Sequence, residues 1–227
     1  MNARPKSGVI GKDKDCLNIL LPMHCPEGGK ILDCTHNKGT MWKGVNIPGT
    51  LTRMDIDPSH PVDVVGDFST MSCIFQKNNF DVIVFDPPHL PVSAASKGSS
   101  NIWKHRYGIT NQIGVGRDGD NVSGMFSSFF NEAKTILKRD GIILCKIADM
   151  IHNHKYQWQH IDLINSAIQC GMTACDMMVK IETASGNLAS SKWKNVHHLR
   201  RNHTFWVIIR NSDRCERTRH VTMEVFP

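Results

Sequence analysis

Short apolar runs alternate with polar, turn-rich stretches along most of the chain. Several of these runs are apolar at nearly every position, which is typical of strands covered on both faces and favours a parallel sheet between layers of helices. We predict seven strands, at 30–34, 50–55, 62–65, 80–85, 141–147, 175–181 and 204–210. The last two strands have no helical stretch between them, so they should pair antiparallel.

Three other stretches repeat apolar residues at the spacing of a helix. They lie at 14–25, 124–140 and 156–171. In the second, the residues that share one face are Phe126, Phe129, Phe130, Ala133, Ile136 and Leu137. In the third, they are Ile161, Ile164, Ala167 and Ile168. Because the chain has no internal repeat or linker, we predict one α/β domain over 1–227, a Rossmann-like fold with a mostly parallel seven-stranded sheet and an antiparallel last strand.

The composition is that of an ordinary globular protein, with 40% hydrophobic and 21% charged residues among 227. No apolar run approaches the roughly 20 residues that cross a bilayer, and the N-terminal residues lack the apolar core of a signal peptide. We therefore expect a cytoplasmic location, in a bacterial, viral or phage-encoded setting. The eight cysteines contain no Cys-x-x-Cys pair, which indicates reduced thiols and no metal site.

Two segments depart from the regular alternation of strands and helices. The stretch 91–122 is rich in Gly, Ser and basic residues, and its place after the fourth strand predicts a lid over a ligand site. The other is a basic C-terminal segment at 191–220. From Ser191 to Arg210 it holds five Lys or Arg, three His and no acid, in a chain of net charge +6. This pattern favours a nucleic-acid partner, with a solvated basic surface as the alternative.

Aspartate residues stand at the ends of four successive strands. They are Asp33, Asp55, Asp67 and Asp86. One such acid is often only a helix cap, but four in order indicate a ligand site at the carboxyl edge of the sheet. The loop after Asp33 is turn-rich, which lets the backbone approach a ligand, and Asp55 is placed to accept hydrogen bonds from a ribose. Lys146, at the end of the fifth strand, either faces this site or lies in solvent.

This ordered set of motifs resembles the S-adenosylmethionine-dependent nucleic-acid amino-methyltransferases of the Asp-Pro-Pro-aromatic type. The first loop of that family reads roughly Asp-x-x-x-Gly-x-Gly-Thr, and the segment from Asp33 to Thr40 matches it, except that Asn37 replaces the first glycine. Asparagine tolerates the left-handed backbone that a glycine supplies. The catalytic motif appears as Asp86-Pro87-Pro88-His89, with His89 in place of the usual aromatic residue. The resemblance extends over about 31–210.

The resemblance implies a class I methyltransferase fold with S-adenosyl-L-methionine as the cofactor. The cofactor would lie against Asp33, Thr35, His36, Asn37, Gly39, Thr40, Asp55, Ile56, Asp67 and Phe68. Within that set, Asp55 would hold the ribose and Asp67 the adenine amine. The catalytic residues would be Asp86, Pro87, Pro88 and His89.

The Asp-Pro-Pro corner suits methyl transfer to an exocyclic base amine. Such an amine is a poor nucleophile because its lone pair is delocalised into the ring. The Asp86 carboxylate and a backbone carbonyl, that of Pro87, would accept its two hydrogens and localise the lone pair toward the methyl donor. His89 would lie against the face of the base. Catalysis is then mostly alignment of amine, methyl and sulfur.

We expect adenine in DNA as the target, reached by flipping the base out or by acting on single strands. Residues expected to contact the nucleic acid are Lys104, Arg106, Trp193, Arg200 and Arg201. An RNA substrate, the cytosine amine and a non-catalytic cofactor-binding subunit stay open as alternatives. Because the chain has no separate recognition domain, a homodimer or a specificity partner also stays open.

Overall fold

A central eight-stranded sheet organises the part of the chain that the structure describes. The computed structural model describes residues 5–25, 28–87, 121–152, 155–182, 197–199 and 201–212. The strands of this sheet are β1 Gly8–Ile10, β2 Lys30–Asp33, β3 Thr50–Asp55, β4 Val64–Val65, β5 Phe80–Phe85, β6 Leu137–Ile147, β9 Thr173–Ile181 and β10 His203–Arg210. A separate hairpin pairs β7 Met150–His152 with β8 Lys155–Gln157.

The strand order places a switch point in the middle of the sheet. The order is β1-β9-β10-β6-β5-β2-β3-β4. Neighbouring strands are parallel, except that β10 runs antiparallel to both β6 and β9. From β2 the chain continues to β3 on one side, whereas β5 pairs with β2 on the other. Ligands of open α/β sheets bind at such a point, beyond the carboxyl ends of the strands.

Helices cover both faces of the sheet. They are α1 Asp13–His24, α2 Met71–Ile74, α3 Asn121–Ile136 and α4 Gln159–Gln169. On the side of α3 and α4, Phe85 of β5 stacks on Phe129 with ring centroids 3.7 Å apart. On the side of α1, Leu17 and Leu21 pack in one cluster with Trp206. Because both faces of the strands are buried, their sequences are nearly continuous apolar runs.

The predicted fold class is confirmed, and the structure adds an eighth strand. All seven predicted strands occur, and the last two pair antiparallel. The additional strand, β1, pairs parallel with β9 at the edge of the sheet. Its three residues, Gly8–Ile10, are too few to show a strand periodicity. Within the described ranges, no helix has both the length and the hydropathy of a membrane span.

The predicted ends of two helices are wrong. Helix α3 ends at Ile136, and residues 137–140 already belong to β6, where Asn211 donates to the carbonyls of Leu137 and Lys138. Helix α4 begins only at Gln159, because 155–157 form β8.

The predicted buried face of α4 is only half right. Ala167 is fully buried and Ile164 packs against the core, as predicted. Ile161 and Ile168 are 44% and 56% exposed, and Leu163, which was not predicted, is fully buried. Since the isoleucines differ little from Leu163 in hydropathy, the docking angle of the helix decides which residues face the core.

Candidate active site

The buried carboxylate of Asp33 organises the loop that follows β2. Asp33 is fully buried. It accepts hydrogen bonds from the Trp42 indole Nε1 at 2.6 Å, the His36 Nδ1 at 2.8 Å and the Thr35 backbone N–H at 3.2 Å. These bonds join both ends of the loop to the end of the strand. The loop is therefore held in one conformation before any ligand arrives.

Two residues of this loop have left-handed backbone conformations. Asn37 has φ 51° and Gly39 has φ 65°. The expectation that Asn37 occupies a position suited to glycine is thus confirmed. At Gly39 a side chain has no room as well, because a Cβ there would lie 2.6 Å from the His36 Nε2. Thr40 follows and begins a 3-10 turn, Thr40–Trp42.

Asp55, at the end of β3, binds the same loop from its other side. One carboxylate oxygen accepts the Asn37 backbone N–H at 2.7 Å, and the other accepts the Asp57 N–H at 3.0 Å. The residue is 9% exposed. Its carboxylate is therefore fixed by two backbone donors that leave its negative charge in place.

The end of β4 carries Asp67 and Phe68 to the same edge of the sheet. The Asp67 carboxylate accepts the Ser69 backbone N–H at 2.8 Å and caps a 3-10 turn, Phe68–Thr70. The Phe68 ring packs edge-on against Phe85, with centroids 5.3 Å apart. Ile56, just after β3, is 36% exposed.

Asp86 directly follows β5 and touches the loop after β2. Its backbone N–H donates to the Thr35 hydroxyl at 2.8 Å. Its carboxylate Oδ2 accepts a hydrogen bond from the Lys146 ammonium at 3.0 Å. Pro87 is buried. The structure thus brings together the predicted cofactor loop and Asp86, the aspartate predicted to be catalytic, which follows Thr35 by 51 residues.

Lys146 faces the site, which resolves the alternatives that the sequence left open. Its ammonium also lies 3.1 Å from the Asp13 carboxylate. Asp13 in turn binds Lys180 at 2.7 Å, and Lys180 binds Glu182 at 2.9 Å. We call these five residues, Asp86, Lys146, Asp13, Lys180 and Glu182, the ion cluster. Sequence reasoning missed Asp13 and Lys180, although a lysine inside an apolar strand was a signal that could have found Lys180.

The ion cluster holds Lys146 in its charged form. The Lys146 side chain is only 13% exposed. Burial alone would lower its pKa, but the charges of Asp86 and Asp13 outweigh this effect and raise the pKa well above the usual range. Within the described part of the chain, the cluster contains three carboxylates and two ammonium groups, so their formal charges sum to one negative charge.

Some predicted site residues lie outside the described part of the chain. They are Pro88, His89, Lys104, Arg106, Trp193 and Arg200. The predicted lid at 91–122 also lies outside it, apart from its last two residues, which begin α3. Arg201 is described, and its guanidinium lies 5.7 Å from the centre of the Tyr156 ring. Among the described residues, no three His, Cys, Asp or Glu side chains are grouped as metal ligands would be.

No protein-family model matches the sequence, and no curated protein matches it either. Solved structures do resemble it. A candidate sarcosine dimethylglycine methyltransferase from Galdieria sulphuraria has 13% identity and a TM-score of 0.53, covering 88% of this chain and 85% of its own. A SAM-dependent methyltransferase from Methanosarcina mazei has 13% identity and a TM-score of 0.50, and the match covers 85% of this chain and 97% of that protein. The chain has the class I methyltransferase fold.

The class I methyltransferase fold accounts for the sheet order and for the switch point at β2 and β5. A candidate DNA modification methylase from Thermus thermophilus also matches, with 10% identity and a TM-score of 0.43 over 71% of this chain. The present chain spans about half of that protein, 53%. At 13% identity the Galdieria and Methanosarcina structures show the fold alone, because one fold supports many different functions.

Proposed function

We propose that the protein is an S-adenosyl-L-methionine-dependent methyltransferase that acts on an exocyclic amine of a nucleic-acid base, with adenine in DNA as the first substrate to test. The observation that carries this proposal is the position of Asp86 and the contacts of its carboxylate. It stands at the end of β5, begins an Asp-Pro-Pro sequence, and has its carboxylate bound by the largely buried Lys146 beside the loop after β2.

The residues at the ends of β2, β3 and β4 fit the cofactor. A carboxylate can accept about four hydrogen bonds, and Asp55 uses two of them on backbone N–H groups. It therefore keeps capacity for the two hydroxyls of a ribose. Asp67 accepts one N–H and keeps capacity for an adenine amine in the same way. When bound, the cofactor supplies an electrophilic methyl group on a positively charged sulfur.

Asp86 prepares the target amine for reaction. Its carboxylate accepts a hydrogen bond from the amine, which draws the nitrogen out of conjugation with the base. Lys146 holds the same carboxylate through Oδ2, so the orientation of the group is set before substrate binds. Such preorganisation is worth most in the transition state, where the nitrogen becomes tetrahedral.

The charge of the ion cluster also suits this reaction. The amine nitrogen gains positive charge as it takes the methyl group, until a proton leaves it. A cluster with one net negative charge stabilises that cation more than the neutral amine. The net negative charge depends on Asp13. Without Asp13, the positive charge of Lys146 would cancel the negative charge of Asp86.

The test is a methyl-transfer assay on a panel of substrates. The protein is incubated with isotope-labelled S-adenosyl-L-methionine and with duplex DNA, single-stranded DNA or RNA, and the products are digested to nucleosides. We expect label in N6-methyladenine from DNA. Binding of S-adenosylhomocysteine is measured separately by titration calorimetry, so that cofactor binding and turnover are scored independently.

Each other outcome of the panel has a defined meaning. If the label is found in RNA or in N4-methylcytosine, that nucleic acid or base is the substrate in place of adenine in DNA. The proposed reaction, methyl transfer to a base amine, then still stands. If the protein binds S-adenosylhomocysteine but transfers no methyl group to any nucleic acid, it is a non-catalytic subunit. Absence of both binding and transfer overturns the proposal.

A further inference from the structure

A row of ring side chains lies between β8 and the first turn of α4. Tyr156, Trp158 and His160 alternate along the chain, and Trp158 is 54% exposed. The Tyr156 and Trp158 rings have centroids 4.4 Å apart, and Trp158 and His160 have centroids 6.1 Å apart. On the far side, His160 stacks on Phe205 at 4.3 Å. We call Tyr156, Trp158, His160 and Phe205 the aromatic row.

A buried carboxylate holds two members of this row in place. The Asp149 side chain is 1% exposed. It binds the His160 Nδ1 at 2.6 Å, accepts the His160 backbone N–H at 3.2 Å and accepts the Tyr156 hydroxyl at 3.2 Å. Burial, together with the charge of Asp149, raises the pKa of the Tyr156 hydroxyl, so that it stays a hydrogen-bond donor. The rings are thus fixed before any partner binds.

Positive charge borders the aromatic row. The Arg201 guanidinium lies 5.7 Å from the centre of the Tyr156 ring, a cation–π distance. Lys155, which precedes Tyr156 in the chain, is exposed. Among the described residues, the acids that interact with this row are Asp149, whose side chain is buried, and the half-buried Asp162 on α4. An exposed indole flanked by basic groups fits a partner that has flat rings and negative charge.

The aromatic row lies on the same edge of the sheet as Asp86. Phe205 pairs with Ile147, at the carboxyl end of β6, and β6 pairs with β5, which Asp86 follows. β10 and β5 are thus separated by β6 alone, a lateral distance of about 10 Å. A nucleic-acid strand with its target base at Asp86 would pass the aromatic row within a few nucleotides.

We propose that Trp158 and Tyr156, with Arg201, form a stacking platform for an unpaired base that flanks the target. The partner of this surface is a single-stranded segment of nucleic acid. The inference rests on the proposed function, because it takes the substrate to be nucleic acid. Base–aromatic stacking suits a flanking base of any sequence, since every base has a π-face.

The test measures binding of a fluorescent single-stranded DNA oligonucleotide and of its blunt duplex by anisotropy, in the presence of S-adenosylhomocysteine. We expect Trp158→Ala to weaken single-strand binding by about tenfold or more, as loss of one stacked base does. Trp158→Phe should stay within about threefold of the wild type, because a ring remains. Ile168→Ala, which removes another exposed apolar side chain of α4, should bind like the wild type.

The outcomes separate this inference from the proposed function. If the wild type binds and methylates DNA while Trp158→Ala binds the single strand equally well, the platform is wrong and the proposed function stands. If Trp158→Ala weakens binding of the single strand and of the duplex equally, the platform is also wrong, because Trp158 then has no preference for an unpaired base. If the wild type neither binds nor methylates nucleic acid, both fail. Calorimetry with S-adenosylhomocysteine checks that each variant is folded.

Discussion

The two halves of the candidate site hold their carboxylates in different ways. At the ends of β2, β3 and β4, the main partners are backbone N–H groups and side-chain rings: Asp33 binds Trp42 and His36, and Asp55 binds the Asn37 N–H. At the end of β5, the partners are ammonium groups, as Lys146 binds both Asp86 and Asp13. The first half fixes a loop through hydrogen bonds. In the second half, lysine ammonium groups compensate most of the carboxylate charge among the described residues.

Because of this difference, we expect the first half to bind the cofactor and the second half to act in methyl transfer. Carboxylates that retain hydrogen-bonding capacity suit the hydroxyls and amine of a nucleoside, whose charge does not change during reaction. A partly compensated cluster suits a nitrogen that becomes positive only in the transition state. Variants in the first half should therefore affect cofactor affinity, and variants in the second should affect turnover. Five predictions test the comparison of the two halves, from the largest expected effect to the smallest.

Asp86→Ala should lower turnover by roughly a thousandfold, because it removes the acceptor that acts on the amine in the transition state. The affinity for S-adenosylhomocysteine should stay within about threefold of the wild type. Asp86→Asn, which keeps one acceptor oxygen, should retain partial activity. Kinetics under saturating cofactor and calorimetry measure the two effects. Wild-type turnover in Asp86→Ala would show that the Asp-Pro-Pro corner is only a turn.

Lys146→Met should lower the free energy of unfolding by about 3 kcal/mol, because it leaves two carboxylates without their shared cation. Denaturant unfolding measures this loss. The matched control is Lys138→Met on the same strand. Lys138 pairs with Asp81 at 2.8 Å but is 45% exposed, so its loss should cost less than about 1 kcal/mol. Equal losses would mean that the ion cluster contributes no more than a surface pair.

The pH dependence of that loss follows from the raised pKa of Lys146. A lysine with a raised folded pKa contributes stability that is complete below its unfolded pKa of about 10.4 and is lost as the pH rises through the folded pKa. The difference between wild type and Lys146→Met should therefore be constant from about pH 6 to about pH 9. A difference that shrinks within this window would contradict the assignment.

Asp55→Ala should weaken cofactor binding by about tenfold or more, since charge-assisted hydrogen bonds contribute about 1.5–3 kcal/mol each. Turnover at saturating cofactor should fall much less than in Asp86→Ala. Asp55→Asn should give an intermediate affinity because one acceptor oxygen remains. Calorimetry with S-adenosylhomocysteine measures all three proteins. An unchanged affinity in Asp55→Ala would remove this residue from the cofactor site.

Asn37→Ala should lower stability by about 1 kcal/mol, because alanine is strained at the left-handed φ of 51°. It should also weaken cofactor binding a few-fold. Asn78 is the matched control, as it has φ 54° in the turn before β5. Asn78→Ala should cost similar stability and leave cofactor affinity unchanged. If both variants change cofactor affinity alike, the loop after β2 has no special role.

The sequence alone determined the α/β class, seven strands of the sheet, the left-handed position of Asn37 and the four acids at strand ends. These features depend on periodicity and on bonds between near neighbours, such as Asp33 with His36 three residues later. Only the tertiary structure decided the ion cluster, where Asp13 and Lys180 are 167 residues apart, and the aromatic row, in which Tyr156 and Trp158 had been assigned to a helix by periodicity and Phe205 comes from a distant strand. It also decided which face of α4 is buried. Charged residues meet across such distances only when β1, α1 and β9 are docked in register, and no local pattern of apolar and polar residues encodes that register.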